Sequence, residues 1–234
     1  MASYPAGKTT AIVPAGGIGR RMTSAVPKQL LEIGGKPILI RTLRVLDRCT
    51  AVDEILVVAP TDFMEKTRQI LDCWKLPKVT QVIPGGRERQ DSVRNALRHL
   101  SADTEIVLVH DAVRPFVSVQ KVNESIEAAR RYGAAILAVP SNNTIKQVRE
   151  GWVERTLDRK ILWQVQTPQV FWKTWIVEAY AKAENETDCS TDDSMLVERI
   201  GHKVRVVEGE YRNIKITCRE DWMLAEAIAA EEDR

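Results

Sequence analysis

Residues 10–29 decide the fold, and they read TAIVPAGGIGRRMTSAVPKQ. The short apolar run Ala11–Val13 predicts a buried strand. It is followed by three glycines, which lack a Cβ and so let backbone N–H groups approach a phosphate closely: Gly16, Gly17 and Gly19. Three cations that can neutralise a polyphosphate come next: Arg20, Arg21 and Lys28. This order predicts a strand that leads into a loop for a nucleoside triphosphate.

Two better-known glycine motifs do not fit this loop. The P-loop needs Gly-Lys-Ser or Gly-Lys-Thr at its end, and no such tripeptide follows these glycines. Gly17 and Gly19 match the first two glycines of the dinucleotide fingerprint, but Met22 stands where its third glycine should be. An ordinary strand-to-helix turn with surface arginines remains as an alternative. Arg21 and the following Pro-Lys-Gln segment favour the phosphate loop over that turn.

Apolar runs alternate with amphipathic segments along most of the chain, and this alternation predicts a βαβ architecture. The strand-like runs are continuously apolar, which is typical of a parallel sheet covered on both faces. We therefore expect a Rossmann-like, three-layer α/β/α fold with a mostly parallel central sheet. Further strands are predicted at 55–58, 79–83, 106–109 and 134–139, and helices at 38–46, 62–73, 90–100, 119–132, 175–182 and 192–200.

Candidate functional motifs follow the predicted strands, where the ligands of such sheets bind. Gly85 and Gly86 follow one strand, and His110 and Asp111 follow another. Asp111 has three possible roles: it could bind Mg²⁺, accept a hydrogen bond from a sugar hydroxyl, or pair with Arg114. His110 is predicted to be buried and bonded to the backbone, without a catalytic role.

The segment 141–162 interrupts the alternation. It is polar, with spaced apolar residues and a turn at Gly151, and this pattern predicts a β-hairpin that protrudes from the sheet. A lone hairpin is only marginally stable in water, so we expect it to pack against another surface. The segment that begins helix 192–200, Ser190–Asp193, resembles a capping box.

The overall composition excludes several classes of function. The formal net charge of +2 argues against bulk binding to nucleic acid or to an anionic membrane. The four cysteines are scattered, without the spacing of a zinc or redox site. No secretory signal and no apolar run long enough to span a membrane is evident, so a cytoplasmic location is expected.

Several segments together resemble one family, and they cover the chain from about residue 10 to 229. The glycine loop with Pro-Lys-Gln resembles the nucleoside-triphosphate transferases that activate sugar phosphates. The later segments are similar to the 2-C-methyl-D-erythritol 4-phosphate cytidylyltransferases of the non-mevalonate isoprenoid pathway: HDAVRPF at 110–116, TLDR at 156–159, LW at 162–163, QTPQVF at 166–171 and NIKIT at 213–217. Arg159 lies in one of these segments.

The resemblance implies one domain, 1–234, that uses CTP and a polyol phosphate, with Mg²⁺ carried mainly on the CTP phosphates. It also implies a homodimer in which the hairpin 141–162 contacts the second subunit and carries Arg159 toward that subunit's site. The implied catalytic residues are Arg21 and Lys28. The implied nucleotide-binding residues are Ala15, Gly16, Gly17, Gly19, Gly86, Arg89, Ser92 and Asp111. The implied polyol-phosphate residues are Asp111, Arg114, Thr144, Arg159, Thr167, Thr191 and Lys215.

Two residues depart from the family pattern. Asn143 stands where the family has an aspartate, which removes a charge beside Thr144, and Val113 replaces a small residue. Ribitol 5-phosphate cytidylyltransferases share the glycine loop and are the nearest alternative, although TLDR and LW favour methylerythritol. A non-catalytic nucleotide-binding module is a second alternative, disfavoured because Arg21 and Lys28 are both present. Met22 disfavours a Rossmann dehydrogenase.

Overall fold

The computed structural model of this chain describes residues 7–16, 27–185 and 190–232. Gly17, Gly19 and Arg21 lie outside these ranges. The strands are β1 Lys8–Pro14, β2 Glu32–Ile33, β3 Lys36–Pro37, β4 Glu54–Ala59, β5 Val79–Pro84, β6 Thr104–Val109, β7 Ala134–Pro140, β8 Lys146–Arg149, β9 Trp152–Thr156, β10 Trp163–Trp172 and β11 Arg205–Glu208. The helices are α1 Ile38–Arg48, α2 Met64–Trp74, α3 Arg89–Leu97, α4 Val119–Tyr132, α5 Lys173–Lys182, α6 Asp193–Arg199 and α7 Arg219–Glu232. None of the helices in these ranges is long and apolar enough to cross a membrane.

Seven strands form the central sheet in the order β11-β7-β10-β6-β1-β4-β5. Strand β10 is antiparallel to both of its neighbours, and the remaining pairings are parallel. The mostly parallel sheet expected from the sequence is therefore confirmed. Because β1, β4, β5 and β6 run in the same direction, their carboxyl ends meet at one edge of the sheet.

Alternate residues of each strand face opposite sides of the sheet, and helices cover both sides. On β1, Ala11 and Val13 pack with the apolar faces of α1, α2 and α4. Ile12 lies on the other side, in the cluster formed by α3, α5 and α6. Strand β4 is buried along its whole length, as expected for a strand between two helical layers. The three-layer α/β/α arrangement is thus confirmed.

Strands β8 and β9 pair as the predicted hairpin. Its turn places Glu150 at φ 51° and Gly151 at φ 85°, the left-handed backbone that two-residue hairpin turns require. The Ser141 N–H donates to the Leu162 carbonyl at 2.9 Å, so the two ends of the hairpin arm, 141–162, meet where it leaves the sheet. Every residue of β9 is exposed. Within the described ranges, β9 is therefore not covered by another part of its own chain.

Three details differ from the sequence-based expectations. Strands β10 and β11 were not predicted, and β10 lies in the middle of the sheet. Helix α3 ends at Leu97, earlier than residue 100. The capping box from Ser190 to Asp193 is wrong, because Asp192 is the N-cap and its carboxylate accepts the Met195 N–H at 2.9 Å.

Candidate active site

The candidate site lies at the sheet edge where β1, β4, β5 and β6 end. Ala15 N–H donates to the Val58 carbonyl at 2.7 Å, and Gly85 N–H donates to the Ala59 carbonyl at 2.8 Å. The backbone just beyond β1 and β5 is thereby tied to the end of β4. These bonds hold the start of the glycine loop beside the Gly85–Gly86 bend, as the order of the motifs predicted.

The Gly85–Gly86 bend packs closely against the start of α3. The buried Ser92 hydroxyl accepts the Gly86 N–H at 3.1 Å and donates to the Glu88 carbonyl at 3.1 Å. A Cβ at Gly85 would lie 3.2 Å from Ser92 Oγ, and a Cβ at Gly86 only 2.2 Å from Asp91 Cβ. A side chain at Gly86 would therefore push the bend away from α3. Gly16 also lies near Ser92, with 3.4 Å between a built Cβ and Oγ.

Lys28 follows the glycine loop in a short 3-10 turn, Lys28–Leu30. Its Nζ donates to the Ile216 carbonyl at 2.9 Å. Gln29 beside it is buried and donates its side-chain amide to the Ala15 carbonyl. These two contacts connect the segment after the glycine loop to the strand that precedes the loop and to the segment that carries Lys215.

Asp111 is the centre of a cluster of cations. Its Oδ1 accepts the Arg89 Nε at 3.0 Å, and its Oδ2 accepts the Lys215 Nζ at 2.9 Å. Arg114 Nε lies 3.5 Å from the same Oδ2, and its Nη1 donates to the Asn213 carbonyl at 2.8 Å. Burial raises the pKa of Asp111, but the three cations outweigh burial and hold that pKa well below its usual range. The carboxylate is thus ionised at neutral pH.

Both oxygens of Asp111 are therefore occupied by cations of the protein. The pairing with Arg114 considered from the sequence is present, and Arg89 and Lys215 approach more closely. In the described ranges, no group of three or more His, Cys, Asp and Glu side chains could hold a metal ion. Three cations around one carboxylate would repel a divalent ion, so these residues do not fit a protein-held metal.

Behind Asp111, His110 and Thr167 form a buried chain of hydrogen bonds. The Asp111 N–H donates to Thr167 Oγ1 at 3.1 Å, and Thr167 Oγ1 lies 3.1 Å from His110 Nδ1. His110 Nε2 lies 3.0 Å from the Arg114 carbonyl, an acceptor, so Nε2 carries the proton and Nδ1 accepts from Thr167. Burial lowers the pKa of His110 to about 4. The buried, backbone-bonded His110 predicted from the sequence is confirmed.

The polyol-phosphate residues expected from the resemblance fall into two groups. Arg114, Thr167 and Lys215 meet at Asp111. Thr144 and Arg159 lie on the exposed hairpin arm, and the Arg159 side chain forms no hydrogen bond or ion pair within the described ranges. Thr191 is also exposed, immediately before the N-cap of α6.

Several buried polar residues of the site were not predicted. Asn213 donates its side-chain amide to Gln166 Oε1 and to the Thr167 carbonyl, at 3.2 and 2.9 Å. Gln169 Oε1 accepts the N–H groups of Asp193 and Ser194, at 3.1 and 2.9 Å. The motifs QTPQVF and NIKIT contain Gln166, Gln169 and Asn213, but only the topology places these residues together.

Comparisons with known proteins agree with this geometry. The family model described as 2-C-methyl-D-erythritol 4-phosphate cytidylyltransferase matches residues 9–231. The enzyme of that name from Syntrophus aciditrophicus is 48% identical over 97% of each chain, and that from Geobacillus kaustophilus is 48% identical over 94% of this chain and 96% of its own. The 4-diphosphocytidyl-2C-methyl-D-erythritol synthase structure from Anaerococcus prevotii superimposes with a TM-score of 0.86, at 35% identity over 96% of each chain. The chain thus belongs to the 2-C-methyl-D-erythritol 4-phosphate cytidylyltransferase family.

Proposed function

We propose that this chain is the nucleotidyltransferase that converts CTP and 2-C-methyl-D-erythritol 4-phosphate to 4-diphosphocytidyl-2-C-methyl-D-erythritol and pyrophosphate in the non-mevalonate isoprenoid pathway. One observation carries the proposal. In a chain that matches cytidylyltransferases along almost its whole length, cationic side chains converge on Asp111 beside the carboxyl end of β1. Such an arrangement suits two phosphorylated substrates that must be brought together.

The reaction requires positioning and charge stabilisation more than covalent chemistry by the protein. An oxygen of the methylerythritol phosphate attacks the α-phosphorus of CTP and forms a new P–O bond. The bond between the α- and β-phosphates breaks, and pyrophosphate leaves with its electron pair. Negative charge develops on the non-bridging and leaving oxygens, and we assign its stabilisation to Lys28 and Arg21.

We assign the nucleotide to the part of the site that the glycine loop and the Gly85–Gly86 bend form. Ala15, Gly16 and the loop glycines Gly17 and Gly19 offer backbone groups to the triphosphate. The Gly85–Gly86 bend lies beside Ser92. Because the Gly85 and Gly86 N–H groups already donate to Ala59 and Ser92, the bend offers its backbone carbonyls to the cytosine edge. Because Ser92 Oγ already bonds Gly86 and Glu88, its main effect on the base is to hold the bend in place.

We assign the methylerythritol phosphate to the Asp111 side of the site. Lys215 is partly exposed beside Asp111 and can turn from this carboxylate to a phosphate oxygen. Arg114 is held by the Asn213 carbonyl and adds a second positive charge. Asp111 and Thr167 lie next to these cations, and Thr144, Thr191 and Arg159 complete the site from exposed segments.

The hairpin arm supports a homodimer. It carries five large apolar side chains that are exposed: Ile145, Val148, Trp152, Val153 and Ile161. Trp152 is 81% exposed, and a large exposed apolar patch marks an interaction surface. A second copy of this chain, related by a twofold axis, would cover the arm and receive Arg159 at its own site.

Mg²⁺ enters this account as part of the substrate, bound to the CTP phosphates. We place the ion there because Arg89 and Lys215 already neutralise the Asp111 carboxylate. Because CTP is a cytoplasmic metabolite, we also assign the enzyme to the cytoplasm.

Pyrophosphate release tests the proposed function. CTP, UTP, ATP and GTP are each combined with methylerythritol 4-phosphate and with ribitol 5-phosphate, and Lys28→Ala serves as a background control. Turnover with CTP and methylerythritol phosphate alone is the expected result. Preferential turnover of ribitol 5-phosphate would establish the pentitol enzyme instead, and CTP binding without turnover would indicate a non-catalytic module.

A further inference from the structure

Arg89 connects two buried carboxylates that lie far apart in sequence. Its Nε donates to Asp111 Oδ1 at 3.0 Å, and its Nη2 donates to Asp193 Oδ2 at 2.7 Å. Asp193 is completely buried at the start of α6. A guanidinium can bridge two carboxylates because its donors are fixed in one plane, whereas a lysine presents a single nitrogen.

Asp193 is itself held in a defined orientation. Tyr180, on α5, donates its hydroxyl to Asp193 Oδ1 at 2.5 Å. The Asp193 N–H donates to Gln169 Oε1 on β10, and Gln169 Nε2 donates to Asp192 Oδ2 at 3.0 Å. The carboxylate that receives Arg89 is thus anchored to α5 through Tyr180, and its backbone is anchored to the central sheet.

The charges around Arg89 explain why a second carboxylate is useful. Burial lowers the pKa of Arg89, but Asp193 and Asp111 together raise that pKa well above its ordinary value, so the guanidinium stays charged. Without the negative charge of Asp193, Arg89 would be a poorly balanced buried cation beside Asp111, in the polyol-phosphate part of the site. It could then leave Asp111 and pair with a substrate phosphate.

We propose that Tyr180 and Asp193 are positioning residues that act through Arg89. They hold the guanidinium against Asp111 Oδ1, which leaves Asp111 Oδ2 directed at Lys215 and Arg114. The same contacts fix the start of α6, which follows Thr191, relative to Asp111. The inference rests on the proposed function and adds residues that orient the polyol-phosphate half of the site.

The main variant is Asp193→Asn, which removes the charge but keeps the shape and can still bond Tyr180. We expect kcat to fall by about tenfold or more, as for other preorganised electrostatic contacts, and KM for the polyol phosphate to rise. KM for CTP should change by less than about threefold, since the Gly85–Gly86 bend is not altered. Tyr180→Phe should show the same split with a smaller loss of kcat.

The matched control is Glu184→Gln. Glu184 pairs with Arg98 at 3.2 Å, and this pair joins the end of α3 to the segment after α5 on the exposed surface. Like the Arg89–Asp193 pair, it is an ion pair that links α3 to a later part of the chain, but it lies on the exposed surface. Kinetic constants like those of the wild type are expected for Glu184→Gln.

A double-mutant cycle separates positioning from a general effect on folding. Arg89→Lys removes the bridge, so Arg89→Lys/Asp193→Asn should lose no more activity than the worse single variant. Thermal unfolding of each variant reports its folded fraction. If Asp193→Asn proves unfolded, the cycle is carried out with Tyr180→Phe.

Additive losses, or an Asp193→Asn enzyme with wild-type kcat and polyol-phosphate KM, would overturn the inference. An inactive wild type would instead contradict the proposed function, so the two failures are distinguishable.

Discussion

His110 makes the stability of this protein depend on pH in a window that can be calculated. Its burial lowers the pKa to about 4, whereas an unfolded histidine has a pKa of about 6.5. Between these values the unfolded chain binds one more proton than the folded chain. The free energy of unfolding therefore falls as the pH falls, by about 1.4 kcal/mol per pH unit.

The total contribution of His110 follows from the two pKa values. It is complete above pH 6.5 and is lost as the pH falls through about 4, which amounts to about 3 kcal/mol. The structural reason is burial, which disfavours the charged imidazolium; protonation of Nδ1 also removes the acceptor of the Thr167 hydroxyl, while Nε2 already donates to the Arg114 carbonyl. Acid should thus also disturb the backbone beside Asp111.

His110→Gln provides the comparison, because a glutamine amide can still donate to the Arg114 carbonyl but does not titrate. Urea unfolding, monitored by tryptophan fluorescence, is measured for both proteins between pH 7 and 4. The wild type should be more stable at pH 7, and this advantage should shrink by about 3 kcal/mol at pH 4. Carboxylates that titrate in both proteins cancel in the difference.

A difference in unfolding free energy that stays constant across this pH range would refute the reasoning. So would an NMR titration of the His110 ring that gives a pKa near 6.5.

Three further outcomes are expected. Lys28→Ala and Arg21→Ala should each lower kcat by about a hundredfold or more, a loss far larger than any accompanying loss of folding stability; near-normal turnover in either would remove that residue from catalysis. CTP should give a higher kcat/KM than UTP or ATP, by about tenfold or more, if the bend beside Ser92 contacts the base through buried polar groups; equal values would reject that assignment. After subunit exchange, Arg159→Ala mixed with Lys28→Ala should recover activity, since one site of each mixed dimer is intact; confirmed exchange without recovery would place Arg159 in the site of its own subunit.

Those parts of the fold that repeat a local pattern could be predicted from the sequence. The continuous apolar runs at β1, β4 and β6 predicted buried parallel strands, and the structure confirms them. The turn at Gly151 and the spaced apolar residues around it predicted the hairpin. In each case the residues of one short segment are enough to predict its structure.

Strand β10 could not be predicted in this way. Its sequence, WQVQTPQVFW, contains polar residues and a proline that do not suit a central strand. Those residues have partners elsewhere in the chain: Gln166 bonds Asn213, and Gln169 bonds the start of α6. The polar side chains of β10 are hydrogen-bonded to residues far away in the sequence. The strand therefore shows neither a continuous apolar run nor an alternation of apolar and polar residues.

The candidate site also contains residues that could be predicted from the sequence and residues that could not. The resemblance to a known family pointed to Asp111, Arg114 and Lys215, and the structure places all three within one cluster. Nothing near Tyr180 or Asp193 indicated a link to Asp111, because the link passes through Arg89, about 100 residues away in sequence. A bridge between buried carboxylates becomes visible only when distances are known.

The most direct measurement of the central claim is ³¹P NMR of the wild-type protein with Mg²⁺, CTP and 2-C-methyl-D-erythritol 4-phosphate. We expect the phosphate monoester signal to disappear while the signals of a new diphosphate and of pyrophosphate grow in equal amounts. A monoester signal that persists, or one that is lost only when ribitol 5-phosphate replaces methylerythritol 4-phosphate, would contradict the assigned reaction.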